Sequence, residues 1–242
     1  MIIIFNRKHV KTKKINHFFI SVLVLVICVS IFWKLLNQKS VILDDVPYIN
    51  QKYRYPTGCE SVSTVMALNY LGIDITVDEF INNYLDMEPL PTANLKGKMV
   101  GYNPEKAFIG NPYSQDGYGC YASVIVNAVN KFIDNTFEVQ ELHNKPIEEL
   151  CNKYIDKGIP VIFWATIDMR PPQAGDPWID KDTGKRVVWI VPMHCLLLIG
   201  YDKDFYYFND PLQKKMCSYK KSKVKAAYKG MHKQAVVIKK AS

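Results

Sequence analysis

An uninterrupted apolar run, VIFWATI, occupies residues 161–167 directly after Pro160. A strand with one face in water alternates polar and apolar side chains, and this run does not, so it predicts a strand buried on both faces. The patterns before Pro160 are helical and those after it are strand-like, an order that indicates an α+β domain. Further strands are predicted at 187–191, 194–201, 205–209 and 235–238, with hairpin turns around 182–184 and 202–204 and a lysine-rich helix to about 228.

The helical part of the chain carries two capping-box patterns. Thr57 is followed three residues later by Glu60, which predicts Thr57 as the N-cap and places Cys59 in the first helical turn. Thr76 and Glu79 form the second pattern and predict a short helix to about residue 85. Other helices are predicted at about 121–133 and 145–157, with His143 in a polar linker before the latter and an irregular, proline- and glycine-rich stretch at 87–119.

Near the N-terminus a second apolar run covers residues 18–33 and is extended by Leu35 and Leu36. Five basic residues precede it, which is the order expected of a segment that keeps its N-terminus in the cytoplasm. We therefore expect a basic cytoplasmic segment (1–17), a single transmembrane signal anchor (18–36), a linker (37–43) and an extracytoplasmic domain (44–242). The alternative is a cleaved signal peptide and a secreted domain.

The net charge of +8 lies at the two ends of the chain. Residues 1–40 hold seven Lys or Arg and residues 214–242 hold ten, with no acid in either range. The middle, 41–213, has 14 basic and 23 acidic residues, so the folded body is acidic and nucleic acid binding is disfavoured. No Cys-x-x-Cys pair or nucleotide-binding motif occurs, so neither a metal nor a cofactor is implied.

Cys59 is the candidate nucleophile. The first N–H groups of a helix lack intrahelical partners and the helix dipole favours an anion there, so a thiol at this position is expected to have a lowered pKa. The alternative is a small buried core residue. Cys120, which also precedes a helix, is the rival nucleophile, but no capping pattern accompanies it and a packing role is favoured. The helical stripe around Cys151 makes that residue part of the core.

A cysteine nucleophile needs a base and a group that orients the base. Of five histidines, His194 opens an apolar strand, where a functional side chain reaches the edge of a sheet. A turn centred on Lys203 pairs residues whose numbers sum to about 406, which places Asp210 diagonally from His194, and diagonal neighbours lie roughly 7–8 Å apart. Asn209 then points to the opposite face. The alternatives are a core histidine and a turn-capping acid.

Gln51, eight residues before Cys59, is a candidate oxyanion donor, although a surface glutamine is the simpler interpretation. With Gln51, Cys59, His194 and Asp210 in this order, the chain resembles the papain-like cysteine peptidases. It is most similar to stand-alone relatives of the bacteriocin-processing peptidases, which remove double-glycine leader peptides. The matching stretches are 46–51, 55–61, 117–120, 160–164 and 194–211.

The resemblance implies a papain-like fold, with N-terminal helices packed on a C-terminal antiparallel sheet. It implies Cys59 as nucleophile, His194 as general base and acid, Asp210 as orienting group and Gln51 as oxyanion donor. The expected function is hydrolysis of peptide bonds in a peptide or protein substrate through a thioester acyl-enzyme, outside the cytoplasm. Two alternatives stay open: an amidohydrolase of cell-wall peptides, and a surface binding module without chemistry. Glu60 stands where the exporter-linked enzymes usually carry glycine.

Overall fold

The computed structural model describes residues 17–36 and 39–241, and it divides the chain into two compact units, Met1–Lys39 and Ser40–Ser242. The first unit contains helix α1 (His17–Leu36). Among the described residues, no helix is long and apolar enough to cross a membrane. The transmembrane helix predicted at 18–36 is therefore not supported, and the predicted cytoplasmic segment lies, except for its last residue, outside the described residues.

The second unit contains five α-helices and a set of mostly antiparallel strands. The helices are α2 (Cys59–Tyr70), α3 (Val77–Tyr84), α4 (Ala122–Asn130), α5 (Ile147–Lys153) and α6 (Lys221–Gly230), with short 3-10 helices at Ile155–Lys157 and Ile167–Met169. The strands are β1 (Val41–Ile42), β2 (Met87–Glu88), β3 (Thr92–Ala93), β4 (Met99–Gly101), β5 (Phe108–Ile109), β6 (Phe137–His143), β7 (Val161–Thr166), β8 (Gln173–Asp180), β9 (Arg186–Val191), β10 (Met193–Tyr201), β11 (Phe205–Asn209), β12 (Cys217–Lys220) and β13 (Gln234–Lys240).

The main sheet has the strand order β12-β11-β10-β7-β13-β6, with β1 beside β10, and all its neighbouring strands are antiparallel. Every residue of β7 is buried, as the apolar run predicts. Because side chains alternate along a strand, Ile162 and Trp164 pack in one hydrophobic core while Phe163 and Ala165 pack in the other. The α+β fold class is confirmed.

Both faces of this sheet carry helices, which differs from the predicted arrangement of helices first and sheet second. Residues of α2, α3 and α4 belong to one core, and residues of α5 and α6 belong to the other. The last helix, α6, comes late in the chain and covers the second face because the apolar side chains of β7 and β10 on that face also need to be buried.

The sequence patterns did not predict several of the strands. Residues 137–143 form the edge strand β6, so His143 pairs with Gln234 and does not lie in a linker. The edge position explains the weak signal, because half-buried and exposed residues alternate there and Glu141 falls on the half-buried side. Four short strands lie within 87–119, and β8, which no sequence pattern predicted, forms with β9 the hairpin predicted around 182–184.

One predicted capping box is present and the other is wrong. At α3 the Thr76 side chain accepts from the Glu79 N–H at 3.2 Å, and the Glu79 carboxyl accepts from the Thr76 N–H at 2.8 Å. At α2 the N-cap is Gly58, with no side-chain cap. The Thr57 hydroxyl donates to distant carbonyl oxygens of the 111–114 loop, and the Glu60 carboxyl is buried.

Candidate active site

Cys59, the first residue of helix α2, lies beside the beginning of strand β10. The helix is buried from Cys59 to Leu68. Two contacts hold it against β10: the Ser63 hydroxyl donates to the Cys195 carbonyl at 3.2 Å, and the Cys195 N–H lies 3.4 Å from Cys59 Sγ. The thiol therefore lies beside the residue that follows His194, although the two segments are more than 130 positions apart in sequence.

The β10–β11 hairpin has the predicted register near the site. Leu197 pairs with Asn209, a sum of 406, and the ladder is irregular only further along, between Leu198 and Gly200. His194 Nε2 lies 2.8 Å from Asp210 Oδ1, and both side chains are about 1% exposed. The imidazole of His194 and the carboxyl group of Asp210 are thus close together, as the register predicted from the hairpin turn requires.

Asp210 accepts hydrogen bonds on both oxygens. The Leu212 N–H donates to Oδ1 at 3.0 Å and the Tyr219 hydroxyl donates to Oδ2 at 2.7 Å. Burial raises the pKa of Asp210, but the hydrogen bond and charge of His194 together with these donors outweigh it, so the pKa lies below its usual value. Asp210 is therefore an ionised group that can hold His194 by its Nε2–H. Tyr219 is a contact that sequence reasoning missed.

The second ring nitrogen of His194 has different surroundings from the first. Nδ1 is buried and has no hydrogen-bond partner among the described residues. Because Asp210 holds Nε2, Nδ1 is the nitrogen left to exchange a proton. Asn209 takes no part, since its amide donates to the carbonyl oxygens of Val46 and Pro47. The prediction that only one of residues 209 and 210 can reach His194 is thus correct.

Gln51 is buried, so the simpler interpretation as a surface glutamine is wrong. Its Nε2 donates to the Pro56 carbonyl at 3.0 Å, and its Oε1 has no hydrogen-bond partner within the described ranges. Its backbone N–H donates to the Pro211 carbonyl at 3.0 Å, which ties the Gln51 segment to the loop that carries Asp210. One N–H of the side-chain amide is left for another acceptor.

A cavity of about 250 Å³ joins these side chains. Cys59, His194 and Gln51 all line it. Tyr118 and Trp189 add aromatic surface, with ring centroids 5.8 Å apart. Trp189 lines the cavity and also belongs to the hydrophobic core. A small, mostly apolar cleft with a few converging polar groups is the usual form of a binding site.

The environment of the thiol differs from the one predicted. Burial raises the pKa of Cys59 well above its ordinary value, and the neighbouring Glu60 and Cys195 raise it further. Glu60 Oε2 lies 3.2 Å from Cys59 Sγ. The predicted lowering of the thiol pKa by the helix terminus is therefore wrong, because burial and a carboxyl neighbour outweigh the dipole.

The other candidate residues lie away from the cavity. Cys120 is buried, its N–H donates to Glu60 Oε1 at 2.7 Å and its carbonyl accepts from the Trp164 indole at 2.9 Å, as a packing role predicts. Cys151 is in the second core, as expected. Within the described part of the chain, no group of three His, Cys, Asp or Glu side chains could hold a metal ion.

Known proteins resemble the chain over most of its length. The model of the Peptidase_C39 like family matches residues 43–236. Uncharacterized protein YvpB of Bacillus subtilis (strain 168) is 28% identical over 187 residues, which are 77% of this chain and 71% of YvpB. A crystal structure from Bacillus anthracis, described as that of a C39-like peptidase, is 28% identical with a TM-score of 0.73, over 84% of this chain and 99% of that chain.

A more distant structure is that of a double glycine motif protease from an AMS/PCAT transporter in complex with the leader peptide. It is 14% identical with a TM-score of 0.45, over 84% of this chain and 100% of that chain, and at that distance it carries no argument. The family match, the Bacillus anthracis structure and the sequence similarity to YvpB confirm the predicted resemblance to stand-alone relatives of the bacteriocin-processing peptidases.

Proposed function

The chain belongs to the Peptidase_C39 like family, which makes it a papain-like cysteine peptidase, and we propose that Cys59, His194 and Asp210 form its catalytic triad. One observation carries the proposal: His194 Nδ1 is buried without a partner among the described residues, while Asp210 holds Nε2 and Cys59 lines the same cavity. A base with one nitrogen held and the other available is the arrangement that nucleophile activation needs.

The proposed reaction has two stages. His194 Nδ1 takes the thiol proton, Cys59 Sγ attacks the carbonyl carbon of the substrate, and the C–N bond breaks as His194 returns the proton to the leaving amine. Water then attacks the thioester carbon as His194 takes one of its protons, the C–S bond breaks, His194 returns the proton to Cys59 Sγ and the acid product leaves. Asp210 keeps the ring in one tautomer and stabilises its charged form.

The negative charge that develops on the carbonyl oxygen needs donors. The backbone N–H of Cys59 lies in the first turn of α2, where N–H groups lack intrahelical partners. The free N–H of the Gln51 amide borders the same cavity. We assign these two groups as the oxyanion donors, because both are held by fixed backbone contacts before substrate binds.

Replacement of the nucleophile tests this function. Cys59→Ala is expected to lower peptide hydrolysis by at least ~10³-fold and to abolish modification by a thiol-directed suicide reagent. Cys120→Ala is the matched control, because Cys120 is also buried near Glu60 but does not line the cavity. Labelling that persists in Cys59→Ala and disappears in Cys120→Ala would transfer the nucleophile to Cys120.

Two alternatives differ in substrate or in chemistry. An amidohydrolase of cell-wall peptides would release product from purified wall and leave an unfolded protein substrate intact. A binding module without chemistry is favoured by one observation, the raised pKa of the buried Cys59 thiol. Hydrolysis by the wild type that is lost in Cys59→Ala excludes the binding module.

We also propose that the catalytic unit acts outside the cytoplasm, held at the membrane by residues 18–36 or secreted after their removal. The support is the order of basic residues before an apolar run at the N-terminus. External protease added to intact cells is expected to digest residues 40–242, or the culture medium to contain them. Digestion that occurs only after lysis would show a cytoplasmic enzyme.

A further inference from the structure

Glu60 is a fully buried carboxyl group in direct contact with the nucleophile. Its exposed fraction is 0%, and its Oε2 lies 3.2 Å from Cys59 Sγ. Its Oε1 accepts from the Cys120 N–H at 2.7 Å, so one carboxyl group joins the thiol to the loop before α4. A buried carboxylate normally has a cationic partner, because burial of an isolated charge is costly.

Among the described residues, Glu60 has no permanently charged cationic partner. No Lys or Arg forms an ion pair with it in the part of the chain that the structure describes. The ionisable groups that face it are Cys59 on its own helix, Cys120 before α4, and Cys195 and His194 on β10. Three are thiols, and only His194 favours the ionised carboxylate by its charge.

The loop around residues 117–120 is shaped to admit this carboxyl group. Gly119 has φ +119°, and a Cβ atom there would overlap Glu60 Oε1 and Met193 Cε. Only glycine fits both the backbone angle and the space. The same loop supplies Gly117 and Tyr118 to the cavity wall. Glu60 thus connects the nucleophile to a wall of the cleft through contacts that another residue type at position 119 would break.

We propose that Glu60 is a positioning residue that controls the ionisation of Cys59: its neutral acid form allows the thiolate–imidazolium pair, and its carboxylate form suppresses that pair. The proposal rests on Cys59 as the nucleophile of the proposed function. When Glu60 is neutral, the proton of Cys59 Sγ passes to His194 Nδ1 and Glu60 keeps its own proton. When Glu60 is ionised, a like charge 3.2 Å away opposes the thiolate.

The working range follows from the site itself. Burial raises the pKa of Glu60 to about 7, although the hydrogen bond from Cys120 acts in the opposite direction. The neutral form therefore persists close to neutral pH, where an ordinary glutamic acid is ionised. At alkaline pH Glu60 is ionised, so the thiolate of Cys59 forms beside a negative charge. In this pH range the reactivity of Cys59 is expected to be lower than that of a cysteine peptidase without this carboxyl group.

The test measures, at a series of pH values, the rate at which iodoacetamide alkylates Cys59 in the folded protein. Mass spectrometry of the Cys59 peptide gives the rate, and the alkylation midpoint is the pH at which the rate is half its maximum. Glu60→Gln keeps an acceptor for the Cys120 N–H and removes the charge, so the alkylation midpoint of Cys59 is expected to fall by about one pH unit or more. Asp116→Asn is the control: it removes an exposed negative charge from the adjacent loop and is expected to leave the midpoint unchanged. An identical midpoint in wild type and Glu60→Gln overturns the proposal.

A second measurement does not depend on the folding of a variant. Infrared spectra of the wild-type full chain are expected to show a protonated buried carboxyl that ionises between about pH 6 and pH 8, and a carboxyl ionised throughout that range contradicts the proposal. Failure of the proposed function is recognised separately. If peptide hydrolysis is absent while the alkylation midpoint still shifts, the coupling of Glu60 to Cys59 stands and the assigned reaction does not.

Discussion

Cys59 and Glu60 influence each other because both are buried in the first turn of one helix. A cysteine at an exposed helix N-terminus is ionised easily, whereas this thiol lies in a closed site and faces a carboxyl group. Within the part of the chain that the structure describes, His194 is the basic side chain whose charge favours the ionised form of Glu60. In the proposed function the reactivity of Cys59 therefore depends on two neighbours, Glu60 and His194, and each can be changed separately.

The free energy of unfolding is expected to depend on pH through the ionisation of Glu60. Its folded pKa of about 7 exceeds the ordinary value of 4.5, so the folded state holds a proton that the unfolded state has lost between these values. The free energy of unfolding then falls as pH rises from 4.5 to 7, by on the order of 3 kcal/mol for a gap of 7 − 4.5. The free energy of unfolding of Glu60→Gln, measured in urea at a series of pH values, is expected to lack this fall. The same pH dependence in Glu60→Gln and wild type contradicts the assignment.

Asp210 is expected to act on catalysis through the orientation of His194. Asp210→Asn removes the carboxylate that holds Nε2–H and should lower kcat by ~10²–10⁴-fold with little change in KM. Asp204→Asn, an exposed acid in the turn of the same hairpin, is the control and should keep wild-type kinetics. Peptide hydrolysis under saturating and limiting substrate separates the two parameters, and equal kcat in both variants excludes Asp210 from the triad.

At the scale of secondary structure, the site forms where three elements meet. The first turn of α2 supplies Cys59, the first residues of β10 supply His194, and the end of β11 leads into Asp210. The Cys195 N–H donates to Cys59 Sγ and joins β10 to α2, and the Gln51 N–H donates to the Pro211 carbonyl and joins the Gln51 segment to the loop that carries Asp210. The loop before α4 closes the arrangement through the Cys120 N–H.

This loop provides a prediction about packing. Gly119→Ala places a methyl group against Glu60 and Met193 at φ +119° and should reduce the free energy of unfolding by more than ~2 kcal/mol and slow hydrolysis. Gly184→Ala is the matched control, since Gly184 has φ +68° but no atom within 4 Å, so only the backbone cost of about 1 kcal/mol is expected. Equal losses in denaturant unfolding would show that space around Gly119 is unimportant.

At the scale of the molecule, the sheet is the common support of the site and of both cores. The C-terminal strand β13 lies in the interior of the sheet, between β7 and β6, so the edge strand β6 depends on it for pairing. Both cores consist of residues from the unit Ser40–Ser242. The unit thus has the apolar burial that an independently folding domain needs.

Residues 40–242 alone are therefore expected to fold. Their free energy of unfolding in urea should equal that of the full chain within about 0.5 kcal/mol, and Cys59 should keep its alkylation profile. Circular dichroism during urea unfolding and peptide-mapped alkylation are the measurements. An aggregated or non-cooperative product would show that residues 1–39 contribute to the stability of the second unit.

Local patterns were sufficient for much of this protein. The apolar run at 161–167 predicted β7 and its burial on both faces, and the turn at 202–204 predicted the register that pairs His194 with Asp210. Both are short-range properties, because side-chain alternation and turn length depend on residues that are close in sequence. The same reasoning failed for β6, whose residues become a strand by pairing with β13, about 100 positions away.

By itself the sequence determined the α+β class, the order of the four candidate site residues and the family resemblance that they support. Tertiary structure alone decided how those residues are surrounded: that Thr57 bonds to the 111–114 loop instead of capping α2, that Trp189 lines the cavity, and that Glu60 meets both Cys59 and a backbone N–H 60 positions away. The reason is physical. Burial and the electrostatic field at a side chain are sums over segments distant in the chain, and no local pattern of residues contains them.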